Sequence, residues 1–396
     1  MSIERARVKL QPGGDKRAML GHPWIFSNEL VMDGAAKSLL PGQIVTLVRA
    51  DGRPLGAAFF NAHSLIAARL LTRDADRPID EVFLQRRLER ALKLRERLIG
   101  APYYRLVHAE ADGIPGCIID RFGDVVVVEP NTAGADALIE PLVAALDRLL
   151  KPRAIVVSGD GPARTLEGLA PVHRMAKGTL HGALEIAEHG ARFLADLAEG
   201  QKTGWFYDQR DNRVLAARFA QDADVLDLYS YSGGFGVQAA RHGAKSVLSV
   251  DRSQPALDLA RRAATLNAVG ERLATEAAEA FEFLESAGGE HRTFDVVLAD
   301  PPAFVKSKKD FHQGARAYRK LARLAASRVR SGGFLFLASC SYNMPAEEFR
   351  AQVARGLHEA GRSGRILYAT GAAPDHPVHP MLPESAYLKA LLLQVD

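Results

Sequence analysis

The chain has 396 residues, 47% apolar and 25% charged, the balance of a folded protein of two or three domains rather than a disordered chain, a coiled coil or a collagen-like repeat. No run approaches 18 apolar residues and no apolar stretch follows the charged N-terminus, so neither a membrane span nor a signal peptide is expected. Two cysteines, Cys117 and Cys340, exclude a disulfide framework and point to the reducing cytoplasm, and the net charge of +4 equals the excess within residues 1–75, where ten Lys or Arg stand against six Asp or Glu.

That basic first fifth suits either an RNA or DNA partner or an ordinary solvated surface. Its pattern is of short strands between Gly and Pro. Residues 42–48 read as a strand, Asp51-Gly52 as a turn, 55–60 as the return strand and 66–71 as a last strand. Several short strands in a small space predict a compact β-barrel over 1–73.

Residues 74–184 read as a separate α+β layer. Asp80 caps a helix carrying Phe83, Leu84, Leu88 and Leu92, and its arginines (Arg86, Arg87, Arg90, Arg95, Arg97) read as a solvated face. A hairpin over 117–129, a helix over 135–150 and a strand over 154–157 follow. Cys117, opening an apolar strand, reads as a buried small hydrophobe.

From 185 to 396 the rhythm becomes alternating. Strands over 225–228, 246–250, 296–299 and 334–338 are separated by helices over 237–241, 255–266 and 315–329. That is a doubly wound, mainly parallel α/β sheet, whose ligands bind beyond the carboxyl ends of its strands. After the first strand comes the turn Tyr229-Ser230-Tyr231-Ser232-Gly233-Gly234-Phe235-Gly236, without the spacing of a P-loop. After the second comes Asp251-Arg252, an acid placed to take both hydroxyls of a ribose. A glycine turn and a strand-end acid together imply an adenosine-bearing ligand, a dinucleotide or S-adenosylmethionine. Glu279 follows the third strand and reads equally as an adenine contact and as an exposed helix-cap acid.

A later strand ends in Asp300-Pro301-Pro302-Ala303-Phe304, which resembles the Asp/Asn-Pro-Pro signature of methyltransferases acting on nucleobases and favours S-adenosylmethionine. The next ends in Ser339-Cys340-Ser341, with a thiol where ligands bind. Lys306, Lys308 and Lys309 suit either RNA phosphates or a solvated loop. Gln201 to Arg213, polar around an aromatic run, suits a ligand-facing turn. His376 and His379, set among prolines without a third ligand, suit a rigid loop rather than a metal site.

In order along nearly the whole chain, these stretches resemble the cytosine-5 RNA methyltransferases of the large-subunit ribosomal RNA type. The resemblance runs through Gly21-His22-Pro23-Trp24-Ile25-Phe26-Ser27, Lys202-Thr203-Gly204, Asp208-Gln209-Arg210, Tyr231-Ser232-Gly233-Gly234-Phe235, Asp300-Pro301-Pro302, Ser339-Cys340-Ser341 and Asp375-His376-Pro377-Val378-His379-Pro380. It implies an N-terminal PUA-like domain gripping RNA (1–73), a central α+β domain (74–184) and a Rossmann-like class I methyltransferase domain (185–396). It further implies that Asp208, Gln209, Arg210, the turn Tyr231 to Gly236, Asp251, Arg252, Glu279 and Asp300 hold S-adenosylmethionine. Cys340 would be the nucleophile, assisted by Asp300, with large-subunit ribosomal RNA as partner and no metal or membrane. A homodimer is compatible with the sequence. There are two departures. Pro302 and Ala303 stand where many RNA cytosine-5 enzymes carry a second cysteine, and Glu279 stands where relatives often have Asp. Three rival readings remain: methylation of an amino group of adenine or guanine on the same fold, a non-catalytic RNA-binding assembly factor, and a small-molecule methyltransferase, which leaves the basic N-terminal module unexplained.

Overall fold

A computed structural model describes residues 4–197, 204–286 and 292–396. The chain forms two compact units. The first holds the residues before 183 together with Asp375–Pro383, and the second holds most of 183–374 together with Glu384–Asp396.

The first unit contains two sheets. Strands β1 (Arg7–Lys9), β2 (Trp24–Ile25), β3 (Gln43–Val48), β4 (Pro54–Phe60) and β5 (Ala68–Thr72) lie in the order β1-β3-β4-β5-β2. A bridge between Leu10 and Leu30 ties the chain past β1 to the chain past β2, drawing the two sheet edges together around Val45, Leu47, Ala58 and Phe60. Short helices α1 (Lys16–Met19) and α2 (Gly34–Lys37) fill the connections.

The second sheet holds β6 (Tyr103–His108), β7 (Cys117–Phe122), β8 (Val125–Pro130), β9 (Ala154–Gly159) and β10 (Val172–Lys177), side by side in sequence order. All its neighbours are antiparallel except β8 and β9. Helix α3 (Glu81–Leu98) is capped by Asp80, which accepts the Phe83 amide, as expected. The single helix expected over 135–150 is instead α4 (Ala133–Ala137) and α5 (Ile139–Leu150), broken at Leu138. A short helix α6 (Pro162–Leu166) precedes β10. Arg69 of β5 pairs with Glu110 and Glu167, and Asn61 and Ser64 also donate to Glu167, so buried polar bonds join the two sheets of this unit.

The arginines of α3 do not all face water. Arg86, Arg90 and Arg97 are exposed, but Arg95 is fully buried. It grips Asp112 with two bonds of 2.6 and 2.7 Å and donates to the carbonyls of Arg105 and Asp375. Arg87 is also largely buried, donates to the Leu71 carbonyl, and is pushed down to about 10 by burial. The Arg95 charge is tolerated on the buried face of a helix because its Nε and both terminal nitrogens donate to oxygens. Cys117 is fully buried, as expected, and burial raises its thiol well above the usual range.

The second unit opens with a hairpin, β11 (Leu184–Glu188) and β12 (Ala191–Ala195), followed by α7 (Arg210–Ala217). Its main sheet comprises β13 (Asp224–Leu228), β14 (Ser246–Asp251), β15 (Leu273–Ala277), β16 (Phe294–Ala299), β17 (Val329–Ser339), β18 (Gly364–Thr370) and β19 (Lys389–Val395). Their order is β15-β14-β13-β16-β17-β19-β18, parallel up to β17, with β19 antiparallel to both its neighbours. Helices α8 (Gly234–Arg241), α9 (Gln254–Leu266), α10 (Ala280–Glu285), α11 (Phe311–Ala326) and α12 (Ala346–Glu359) supply the crossovers. The helix expected to reach Val329 stops at Ala326, and Val329 opens β17. This is the expected Rossmann-like α/β sheet. Strand order reverses at β13, between β14 and β16, and that switch point opens a crevice beyond the strand ends.

Candidate active site

Five parallel strands, β13 to β17, deliver candidate residues to one edge of the sheet. Past β13, Tyr229, Tyr231 and Gly233 all adopt left-handed backbone, with φ of 58°, 48° and 82°. Such a run is rare for residues with a Cβ and shapes a tight turn against the start of α8. The Tyr231 amide donates to Asp251 Oδ2 at 2.9 Å, and the Ser253 amide donates to Asp251 Oδ1 at 2.9 Å. Asp251 is therefore aimed by two backbone donors while remaining half-exposed, with lone pairs left for ligand hydroxyls. Arg252 is exposed and lies 3.7 Å from Glu279. Glu279 occupies the N-cap position of α10 two residues past β15, is half-exposed, and makes no capping bond.

Not every residue of the glycine turn faces the crevice. Phe235 packs on Phe336, with ring centres 5.1 Å apart. A Cβ at Gly236 would meet Ser249 Oγ at 2.6 Å and Asp227 Oδ2 at 2.9 Å. Gly236 thus lets α8 sit close on β13 and β14, and its amide donates to Asp227. Burial pushes the Asp227 carboxyl up to about 8 against the pull of that amide.

The polar run before α7 is not a surface turn. Trp205, Tyr207, Asp208, Gln209, Arg210, Asn212 and Arg213 are all buried. Arg213 pairs with Glu188 at 2.7 Å, and Trp205 donates to the same carboxylate. Tyr387 donates to Asp208 Oδ2 at 2.6 Å. Gln201, Lys202 and Thr203, singled out in the sequence, lie outside the described residues.

Several buried polar atoms here have no partner among the described residues: Asp208 Oδ1, Gln209 Nε2, Ser230 Oγ and Ser232 Oγ. Buried polar atoms are ordinarily satisfied, so a cluster of orphans beside a switch-point crevice suits a polar ligand. Carboxylate, amide and hydroxyls match the ammonium, carboxylate and ribose groups of S-adenosylmethionine.

The thiol enters from the next strands. Cys340 directly follows β17 and is half-exposed, its Sγ 3.9 Å from the Pro301 carbonyl, one residue beyond half-exposed Asp300. Ser341 braces the turn: its Oγ is bonded to Tyr318 at 2.8 Å and accepts the Val305 amide at 3.1 Å, while its carbonyl accepts Lys389 Nζ at 2.6 Å. Phe304 packs on Tyr318 and Phe281, with ring centres 4.7 and 5.9 Å away. Tyr342 is 63% exposed and stacks on Tyr387, with ring centres 5.3 Å apart and planes at 21°.

Glu188, Asp227, Tyr387 and Lys389 did not stand out in the sequence. Lys389 alone left a signal, a cation opening the apolar run Ala390-Leu391-Leu392-Leu393. In the first unit, His376 is bonded to Asp375 and His379 Nδ1 accepts the Met381 amide. Among the described residues no cluster of His, Cys, Asp and Glu can hold a metal, and no helix is long and apolar enough to cross a membrane.

A switch-point crevice bordered by Asp251 and an Asp-Pro-Pro strand end is the arrangement of a class I S-adenosylmethionine-dependent methyltransferase. Family profiles agree: a PUA-like domain matches residues 8–73 and an S-adenosylmethionine-dependent methyltransferase matches residues 173–394. The chain is 38% identical over 398 residues to ribosomal RNA large subunit methyltransferase I of Shewanella amazonensis, covering 98% of this chain and 99% of that one. It is 37% identical over 399 residues, with the same coverage, to the protein of that name from Alteromonas mediterranea. Two solved methyltransferases share the fold at 21% identity, each covering 98% of this chain and 100% of its own. One, from Streptococcus mutans, has a TM-score of 0.82; the other, SMU.776 complexed with SAH, has 0.84. The chain belongs to the ribosomal RNA large subunit methyltransferase I family, and its cofactor is S-adenosylmethionine.

Proposed function

We propose that this protein methylates carbon 5 of a cytosine in large-subunit ribosomal RNA in the cytoplasm, through a covalent bond to Cys340. The observation that carries the reading is the thiol itself, half-exposed at the carboxyl end of a parallel strand and against the Asp-Pro-Pro turn. Carbon 5 of cytosine is a weak nucleophile. Addition of the Cys340 thiolate to carbon 6 makes carbon 5 enamine-like, which is covalent catalysis. Asp300 accepts hydrogen bonds from the exocyclic amine and from the protonated ring nitrogen as negative charge develops in the ring. When bound, S-adenosylmethionine supplies an electrophilic methyl group on a sulfonium. Asp251 would hold its ribose, Asp208, Gln209 and the Ser230–Ser232 turn would hold its polar groups, and Glu279 would face the adenine.

The RNA side is supported by exposed Lys306, Lys308 and Lys309 and by the open face of Tyr342. The target must be unpaired or drawn out of its helix to reach the thiol. Methylation of an exocyclic amine needs no thiol and wants an aromatic stacked on the target. Phe304 is instead engaged by Phe281 and Tyr318, which disfavours that chemistry. The orphaned polar atoms and exposed thiol likewise disfavour a non-catalytic assembly factor.

The test is trapping with ribosomal RNA carrying 5-fluorocytosine. Wild type with S-adenosylmethionine forms an adduct stable on a denaturing gel, and Cys340→Ala forms none. Methyl transfer to normal RNA by both proteins, with no adduct in either, overturns the thiol mechanism.

A further inference from the structure

Lys389 is a buried cation without an evident structural purpose. It stands opposite Ser339 in the β17–β19 pair, one residue before Cys340, and is only 9% exposed. Its one hydrogen bond goes to the Ser341 carbonyl at 2.6 Å, on the other side of the thiol. Among the described residues no carboxylate lies within ion-pair distance of it. Burying an ammonium without a counter-charge is costly, and its neighbours Leu388, Ala390 and Leu391 show that an apolar residue suits this strand.

Its surroundings single out one partner. Burial lowers Lys389 to about 8, and the Cys340 sulfur, when ionised, is the one charge that favours its ammonium. From α11, Tyr318 also feels Cys340, but burial raises its hydroxyl above the ordinary value, leaving it neutral near pH 7. At the end of β16, Asp300 is an acid and cannot stabilise a thiolate. Among these groups Lys389 is the one that can set a positive charge against charge on sulfur.

We infer that Lys389 is the proton partner of Cys340, a positioning residue that holds the nucleophile as a thiolate. The step is balanced. With Lys389 neutral, the Cys340 S–H bond breaks and the amine lone pair takes the proton; with Lys389 already an ammonium, the S–H proton leaves to water and the bonding electrons stay on sulfur. Either route ends in the same ammonium–thiolate pair. When a base later removes the carbon 5 proton, the C5–H pair forms the C5–C6 double bond and the S–C6 pair returns to sulfur opposite the same ammonium. The proposal rests on Cys340 being the nucleophile, but its test needs no RNA.

The experiment follows alkylation of Cys340 by iodoacetamide against pH, read by peptide mass, in the full-length protein. The buried Cys117 does not compete. Wild-type Cys340 is expected to react with a midpoint below that of an ordinary thiol. Lys389→Met should raise the midpoint by about one pH unit and slow alkylation at pH 7 roughly tenfold, while Lys389→Arg retains the low midpoint. Lys389→Gln, which keeps a donor for the Ser341 carbonyl, gives the same reading should the Met variant fail to bind S-adenosylmethionine. An unchanged midpoint in a charge-removing variant that still binds S-adenosylmethionine overturns the proposal. 5-Fluorocytosine trapping separates the two ideas. A midpoint shift without a wild-type adduct overturns the cytosine reading and leaves the Lys389–Cys340 pair standing, whereas adducts with an unchanged midpoint overturn the pair alone.

Discussion

Arg95 and His108 show how single buried groups carry energy that composition hides. Arg95→Met leaves Asp112, only 6% exposed, without its cation and frees two carbonyls. The expected loss is about 3–5 kcal/mol, read from the urea midpoint, whereas exposed Arg97→Met should cost under about 0.5 kcal/mol. His108 lies 5.2 Å from the His376 ring, and burial, seconded by Arg105, His376 and Arg95, pushes it down to about 2. Between that value and its ordinary 6.5 the unfolded chain binds a proton that the folded chain refuses, so stability falls as pH drops through this window. From pH 7 to 5 this one group removes about 2 kcal/mol. His108→Gln should flatten the stability–pH curve by that amount, and a curve parallel to wild type would reject the assignment. Neither burial was legible in the sequence. Arg95 looks like any arginine on a charged helix, because its partners lie outside that helix: Asp112 follows the next strand, and the Asp375 carbonyl comes from 280 residues further along the chain.

At the scale of elements, legibility follows burial on both faces. Strands β13, β14, β16 and β17 lie inside the sheet, so they read as largely apolar runs, and the turns after them exposed the candidate site. The edge strands β10 and β18 are mostly polar or exposed, with Met175, Ile366 and Tyr368 open to solvent, and left no such pattern. The residues of the glycine turn were found, but its division of labour was not: spacing does not reveal that Gly236 faces Ser249 and Asp227. Gly236→Ala forces α8 off β13 and β14 and should cost roughly 1–3 kcal/mol, with weaker S-adenosylmethionine binding by calorimetry. Binding and melting temperature equal to wild type would show that the helix yields freely. Opposite, the Tyr342–Tyr387 stack offers an exposed ring two residues beyond the thiol. Tyr342→Ala should weaken RNA binding by roughly 1–3 kcal/mol and Tyr342→Phe very little, because stacking needs the ring and not the hydroxyl.

On the scale of the whole chain, the basic excess resolves into particular side chains. Of the ten cations in residues 1–75, Arg17, Arg49, Arg53 and Arg69 are neutralised by acids, and Arg5 and Arg73 bond backbone carbonyls. Arg7, Lys9, Lys16 and Lys37 are exposed and, among the described residues, have no ion pair. If the PUA-like part grips RNA, these are the charges that displace counterions from phosphates, each contributing about 0.7 to the slope of log K against log salt on single strands. Lys9→Ala with Lys37→Ala should therefore lower that slope by about 1.4. Lys93→Ala with Lys151→Ala removes the same net charge from exposed sites beyond the basic module. Net charge alone would act through the long-range field and change both pairs alike, fading above physiological salt as screening shortens its reach to about 8 Å. Direct contact would lower the slope only for the first pair and persist at high salt. Equal slopes for the two pairs would remove the N-terminal module from the RNA interface and leave Lys306, Lys308, Lys309 and Tyr342 to carry recognition.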